Sequence, residues 1–261
     1  MFSPVVSLHS LHLEVPAGQS VAFLSDVHLG YGTAAQNDVR ERRLLATLEE
    51  IERTCCHLFI VGDLFDFWFD YRRVIPREFV RTLAALRSMR DRGFPITYLM
   101  GNHDFGHYTY FRDHMDIHVY GGDVEVEVGD QRWYISHGDG KAANDTGYLI
   151  LRSVLRSSWA QALYRWLHPD LGIALASTTS HSSRAYTDER SYGVADGLRD
   201  FAAARLAEGY QLVVMGHRHH ATHETLAGGE YVNLGHWLGN EPTYALFSHE
   251  SGVRLVQPDF A

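Results

Sequence analysis

The chain is 261 residues long, 45% apolar and 21% charged. That is enough to bury a sizeable core in a single domain over 1–261, and it excludes a disordered, collagen-like or disulfide-dense chain. A net charge of −9 argues against nucleic acid as a partner, because such surfaces need clustered positive charge. The two cysteines, Cys55 and Cys56, are adjacent and no C-x-x-C pair occurs, which fits a reducing compartment and argues against a thiolate metal site. Residues 1–24 lack a basic start and are interrupted by Glu14, Pro16 and Gly18, so a secretory signal is not expected. Apolar runs such as Leu58–Val61 fall far short of the roughly 20 residues a spanning helix needs. The expectation is a soluble, cytoplasmic protein, peripheral at most on the inner face of a membrane. Of the 23 basic residues 22 are arginine, with Lys141 the one lysine; this reads as a compositional habit. The 17 histidines oblige a search for metal-ligand spacing.

Five short apolar runs end alike. Val21–Leu24 leads into Ser25-Asp26-Val27-His28, and Leu58–Val61 into Gly62-Asp63. Ile96–Met100 leads into Gly101-Asn102-His103-Asp104, Trp133–Ser136 into His137-Gly138-Asp139, and Leu212–Met215 into Gly216-His217-Arg218-His219. Near-continuous apolar runs of this length read as strands buried on both faces. Amphipathic periodicity predicts helices over 38–53, 77–91 and about 188–208. The tail, about 230–257, reads as strands at 231–234, 244–247 and 253–256. Strand and helix alternate through the first half, which predicts an α/β layered fold whose ligands collect beyond the carboxyl ends of the strands. Successive motifs are 37, 39 and 35 residues apart from Asp26 through Asp63 and Asn102 to His137, and then 80 to His217. An element of about 40 residues therefore looks inserted, at 145–187.

The polar residues at these strand ends are Asp26, His28, Asp63, Asn102, His137, His217 and His219. Singly, an aspartate after a strand is more often a turn former or helix cap, and a lone histidine more often a satisfied one. Together they make two carboxylates, one amide oxygen and four imidazoles, more than one ion needs. Two divalent ions sharing a carboxylate fit the set. Ligation by nitrogen and oxygen without thiolate suits Mn²⁺, with Fe or Zn²⁺ as alternatives, better than Ca²⁺ or Mg²⁺. The remaining histidines other than His103 read as surface or core residues, except His236 in Leu234-Gly235-His236-Trp237, which stays open between that reading and a loop bordering the site.

The ordered set Asp26-x-His28, Gly62-Asp63, Gly101-Asn102-His103-Asp104, His137-Gly138-Asp139 and Gly216-His217-x-His219 resembles the calcineurin-like metallophosphoesterases across nearly the whole chain. The resemblance implies a metallophosphoesterase sandwich of mostly parallel or mixed sheets flanked by helices. It implies that Asp26, His28, Asp63 and His219 hold one ion and that Asp63, Asn102, His137 and His217 hold the other. His103 would act at the leaving-group oxygen as general acid or charge stabiliser, oriented by Asp104.

The insert reads as two helices separated by Pro169. Residues 146–184 carry Arg152, Arg156, Arg165 and Arg184 against Asp170 alone. Leu149, Leu151, Leu155, Trp159, Leu163, Trp166 and Leu167 exceed one core-facing stripe. Such a pair fits a lid over an amphiphilic substrate, a membrane-surface contact, or packing on the domain or a second subunit; the oligomeric state is open. His137-Gly138-Asp139, Asp145-x-Gly147-Tyr148, Ser182-Ser183-Arg184 and the ending at Leu234–Trp237 resemble the UDP-2,3-diacylglucosamine hydrolase branch. That branch cleaves a nucleotide-linked lipid to UMP and an acylated glucosamine 1-phosphate for lipid A, with water attacking the α-phosphorus. The resemblance implies substrate contacts from Asn102, His103, Asp145, Ser183, Arg184 and Arg190. His103 departs from the arginine usual there, and arginines stand where the branch has lysines after its lid. Alternatives are a phosphoesterase of another nucleotide-linked or soluble ester, and a non-catalytic metal-binding scaffold.

Overall fold

In each apolar run successive side chains must point to opposite faces, so a continuous run demands cover on both. The computed structural model, which describes residues 8–141, 157–172 and 197–258, supplies it with two sheets face to face and helices outside each. The elements are β1 (Leu8–His12), β2 (Ser20–Leu24), α1 (Ala34–Thr54), β3 (Cys55–Val61), α2 (Val80–Asp91), β4 (Ile96–Leu99), α3 (Tyr110–Met115), β5 (His118–Tyr120), β6 (Asp123–Val128), β7 (Gln131–Ser136), α4 (Ser158–Tyr164), α5 (Gly197–Ala207), β8 (Leu212–Met215), β9 (Thr222–Leu226), β10 (Gly229–Asn233), β11 (Tyr244–Ser248) and β12 (Gly252–Val256). A 3-10 turn at Arg77–Phe79 leads into α2.

One sheet has the order β12-β11-β2-β3-β4-β5 and the other β1-β6-β7-β8-β10-β9. Both are mixed: β2, β3, β4 and β5 run parallel, as do β7, β8 and β10, while β11 and β12, β6, and β9 bring antiparallel pairings. Between the sheets lie Val21, Phe23, Phe59, Val61, Trp133, Ile135, Val214 and Phe247. Their chain neighbours Ala22, Leu24, Leu58 and Ile60 face the opposite way, under α1, α2 and α3 with Leu44, Leu48, Leu83 and Leu86. Tyr134, Val213 and Met215 likewise meet Leu198, Ala202 and Leu206 of α5.

Two boundaries differ from the sequence expectation for local reasons. Helix α1 starts at Ala34 because Thr33 and Gln36 form a capping box: Gln36 N donates to Thr33 Oγ1 at 3.3 Å and Thr33 N to Gln36 Oε1 at 2.9 Å. Polar residues of the first turn carry no apolar period to read. Strand β3 begins at Cys55, three residues before the expected run, so both cysteines lie within the strand. Strands β1, β5, β6 and β9 go beyond those expected. The signal for β6 was the strict alternation of Asp123-Val-Glu-Val-Glu-Val128, whose valines are buried between the sheets.

Of the insert, α4 falls in the expected region, and its Tyr164 packs on Phe69 with ring centroids 4.5 Å apart. The helices expected on either side of Pro169 lie largely outside the described residues. No helix among the described residues is long and apolar enough to cross a membrane.

Candidate metal centre

The parallel direction of β2, β3, β4, β7 and β8 puts all five exits at one edge of the sandwich. The exits of β2 and β3 stay in step beyond the strands: Asp26 N donates to Gly62 O at 3.2 Å and His28 N to Asp63 O at 3.0 Å. Strands β7 and β8 are direct neighbours, with Ser136 opposite Met215. Gly216 N then donates to His137 O at 3.1 Å. The long sequence step from His137 to His217 is therefore a crossover that ends beside its starting point.

The backbone is strained where the candidate ligands stand. Seven non-glycine residues among those described have positive φ, and five are Asp26 (52°), His28 (50°), Asp63 (52°), His217 (70°) and His219 (58°). Each such residue costs of order 1–3 kcal/mol, a cost offset by the packing beneath. Two glycines are required by close approach. A Cβ on Gly101 would lie 2.0 Å from Asp63 Oδ1, and one on Gly216 would lie 2.3 Å from Asp26 Oδ2.

The side chains form two groups that meet at Asp63. In the first, His28 Nε2 and His219 Nε2 stand 3.1 Å apart, and Asp26 Oδ1 is 3.3 Å from His219 Nε2 and 3.7 Å from His28 Nε2. In the second, Asn102 Oδ1 is 3.0 Å from His137 Nε2 and 2.9 Å from His217 Nδ1. Asp63 Oδ2 reaches both, at 3.8 Å from His28 Nε2 and 3.3 Å from His137 Nε2. The structure thus brings together all seven strand-end residues. Ligand atoms of Asp26, His28 and His219, and likewise of Asp26, Asp63 and His137, fall within 4.8 Å of one another, as do those of His28, Asp63 and His103.

Divalent cations fit this donor set. Asp26 Oδ1 is buried without a hydrogen-bond partner, an expensive position for a carboxylate oxygen unless a cation meets it. His137 Nδ1–H donates to Val61 O at 2.8 Å; a carbonyl can only accept, so in the neutral ring, the form that would meet a cation, the lone pair is on Nε2, toward Asp63 and Asn102. His28 Nδ1 lies 3.3 Å from Asp66 Oδ1, which aims Nε2 of that ring the same way. Burial opposes charge on Asp26, but His219 and His28 beside it hold the carboxyl well below the usual range. Asp63 is likewise held low, burial being outweighed by His137 and His103. Burial works against a charged His137, yet Asp63 outweighs it and raises the imidazole to about 10. A field that favours protonated imidazole favours any cation placed between the same oxygens.

Asp104 does a different job from the one expected. Its carboxylate accepts Gly101 N at 2.8 Å, Leu64 N at 3.0 Å and the Tyr98 hydroxyl at 2.5 Å, so it braces the exits of β3 and β4. Burial and the nearby Asp63 push it up to about 6. The group that faces His103 is Asp66: His103 Nδ1 is 3.2 Å from Asp66 O and 3.6 Å from Asp66 Oδ1. Its signal was a second carboxylate three residues after Asp63. The sequence reading also passed over Ser25, whose hydroxyl donates to Asp26 Oδ2 at 2.5 Å, and Asn233, whose Nδ2 donates to Gly216 O at 2.7 Å. His236 does border the site, its ring 5.3 Å from that of His219. Asp145, Ser183, Arg184 and Arg190 lie outside the described residues.

A mixed-sheet sandwich with oxygen and imidazole donors gathered around one carboxylate at its strand ends is the architecture of a metal-dependent hydrolase. The profile of the calcineurin-like phosphoesterases matches residues 20–221, and the chain belongs to that family: it is a phosphoester hydrolase that uses divalent metal ions. Among curated relatives named UDP-2,3-diacylglucosamine hydrolase, the Porphyromonas gingivalis protein is 33% identical over 171 residues, 65% of this chain and 65% of that one. The Enterobacter sp. protein is 27% identical over 91% of this chain and 98% of its own length. That of Pseudomonas putida is 26% identical over 92% of this chain and 100% of its own.

Proposed function

We propose that the protein hydrolyses UDP-2,3-diacylglucosamine at the α-phosphorus, giving UMP and 2,3-diacylglucosamine 1-phosphate for lipid A, at the cytoplasmic face of a membrane. The phosphoester chemistry rests on one observation: Asp63 stands between two groups of donors. Asp26, His28, Asp63 and His219 would hold one ion, and Asp63, Asn102, His137 and His217 the other. Bound there, divalent ions, of which Mn²⁺ suits the nitrogen and oxygen donors, polarise phosphoryl oxygens and lower the pKa of water.

The chain's own residues supply the rest. His103 Nδ1–H donates to Asp66 O, so the nitrogen available to the leaving oxygen is Nε2; with the ring protonated on both nitrogens, Nε2–H gives a proton or a hydrogen bond there. Asn102 and His103 flank the scissile phosphate. Asp26, His28, Asp63 and His137 are buried away from bulk water, and the partly exposed side of the site is formed by Asn102, His103, His217 and His219, with side-chain exposures of 13% at His103 and 28% at His219.

The lipid part of the reading is supported by α4 and the turn after it. Trp159, Leu163, Trp166 and Leu171 are all more than 60% exposed, an unusual concentration for an acidic chain. They are footed on Phe67–Tyr71, immediately after Asp66 of the site, through Tyr164 against Phe69 and Tyr71. Here the insert acts as the lid, its apolar residues meeting the acyl chains or the membrane surface and its arginines the diphosphate.

The test compares the lipid nucleotide with a soluble aryl phosphodiester, both with Mn²⁺. Wild type is expected to prefer the lipid nucleotide, and Asp63→Ala to lose activity on both by roughly 10³-fold, the worth of several kcal/mol of charge stabilisation. Better turnover of the soluble diester would overturn the lipid assignment; unchanged turnover by Asp63→Ala would overturn the shared-carboxylate centre.

A further inference from the structure

The one lysine of the chain stands at the loop that carries His137. Its side chain is 10% exposed, with Nζ 2.5 Å from Asp123 Oδ2 and 5.1 Å from the centroid of the Phe201 ring. Asp123, at the start of β6, also accepts the Tyr134 hydroxyl on Oδ2 and the Ser136 hydroxyl on Oδ1, the latter at 2.7 Å. Ser136 immediately precedes His137. Lys141 closes the following turn, its backbone N–H donating to Gly138 O at 3.2 Å. One buried carboxylate therefore ties down both ends of the segment that presents His137.

The chemistry suits a lysine. An ammonium is compact and can spend its donors on one carboxylate and an aromatic face, whereas a guanidinium brings five donors that a buried site must all satisfy. Several arginines instead pair with carboxylates at the surface, as Arg92 does with Glu52 and Arg132 with Glu125. A buried ion pair contributes little net stability, and its best-attested use is to fix one arrangement among alternatives.

We propose that the Asp123–Lys141 pair is a positioning device for the second cation. It holds the turn from His137 to Lys141 in the one geometry that presents His137 Nε2 beside Asn102 and Asp63. Occupancy of that position and closure of the pair are then linked, and the linkage is reciprocal. This inference rests on the two-cation reading of the site.

The full-length chain is titrated with Mn²⁺ and followed by electron paramagnetic resonance, which separates one bound ion from a spin-coupled pair. Wild type is expected to bind two. Lys141→Met is expected to keep the first and to bind the second about 10- to 100-fold more weakly, the range for lost partners that orient metal ligands. Asp123→Asn should do the same, and the double variant should be no weaker than either single one, because the two side chains act as a unit. On the unaltered protein, saturating Mn²⁺ should slow acetylation of Lys141 by an amine-reactive reagent at least about tenfold, within the usual span of coupling between sites, as read by mass spectrometry. That measurement decides the matter if the variants do not fold. Fewer than two ions in wild type would overturn the two-cation reading and this proposal with it. Two ions in wild type, with unchanged second-ion affinity in Lys141→Met or a labelling rate indifferent to Mn²⁺, would overturn this proposal alone.

Discussion

The two sheets contribute different chemistry to one site. The sheet holding β2, β3 and β4 provides Asp26, Asp63 and Asn102, every oxygen donor of the set, together with His28 and His103. The sheet holding β7 and β8 provides only imidazoles, from His137, His217 and His219. Neither sheet alone makes a complete set of donors for either of the two proposed ions. The site exists because Phe23 of one sheet, stacked on its neighbour Phe59, packs against Trp133 of the other, and Phe247 closes on the same ring at 4.5 Å. The apolar layer between the sheets is thus part of the metal centre in the energetic sense: it holds oxygen and nitrogen donors at a common edge.

The largest test of this division removes the layer's central ring. Trp133 is fully buried, and Trp133→Ala should cost about 3–5 kcal/mol of stability, as such truncations do in cores. Urea denaturation gives the cost. Mn²⁺ affinity measured well below the transition should fall as well, and a variant that loses stability but binds Mn²⁺ as before would break the link between layer and site.

A smaller change sharpens the contribution of the oxygen-rich half. Asp66→Asn leaves the carbonyl contact to His103 in place but weakens the hold of the side chain on His28 and His103. Metal affinity or kcat should fall by roughly 10- to 100-fold, as for other groups that orient ligating histidines. Isothermal titration and steady-state kinetics measure each, and unaltered values in both would show that Asp66 merely lies nearby.

The smallest effect concerns a histidine outside the site. His107 is buried against Trp68, Tyr98 and Phe111, and neither ring nitrogen has a hydrogen-bond partner. Burial lowers it from 6.5 to about 3. The unfolded chain therefore takes up the proton first as pH falls below about 6.5, and stability present above that value is lost on acidification toward 3. Between pH 7 and 5 the loss is about 2 kcal/mol at 1.36 kcal/mol per unit. His107→Phe should remove that part of the acid sensitivity and raise stability at pH 7; an identical pH profile in the variant would contradict it.

The strand ends were legible because their pattern is local. A buried run followed by glycine and a polar residue announces a turn at the sheet edge, and five in order leave few arrangements. The cap that starts α1 early and the strand β6 were missed, although Thr33–Gln36 and the alternating valines carried their signals, because those signals are weaker than an apolar stripe. What Asp104 and Asp66 do was not legible. Both sit near His103 in space, and only the path of the chain after β3 decides which carboxylate meets the ring and which braces the backbone.

By itself the sequence determined the ligand types, their order and the strands that carry them, since these depend on residue identity and periodicity over a few positions. Only the tertiary structure decided that β7 and β8 are neighbours across a long crossover, that the donors divide between two sheets, and that Lys141 closes on Asp123. Those facts depend on contacts between residues far apart in the chain. Such contacts are fixed by how two apolar faces find their mutual register, a choice that no short stretch of sequence makes alone.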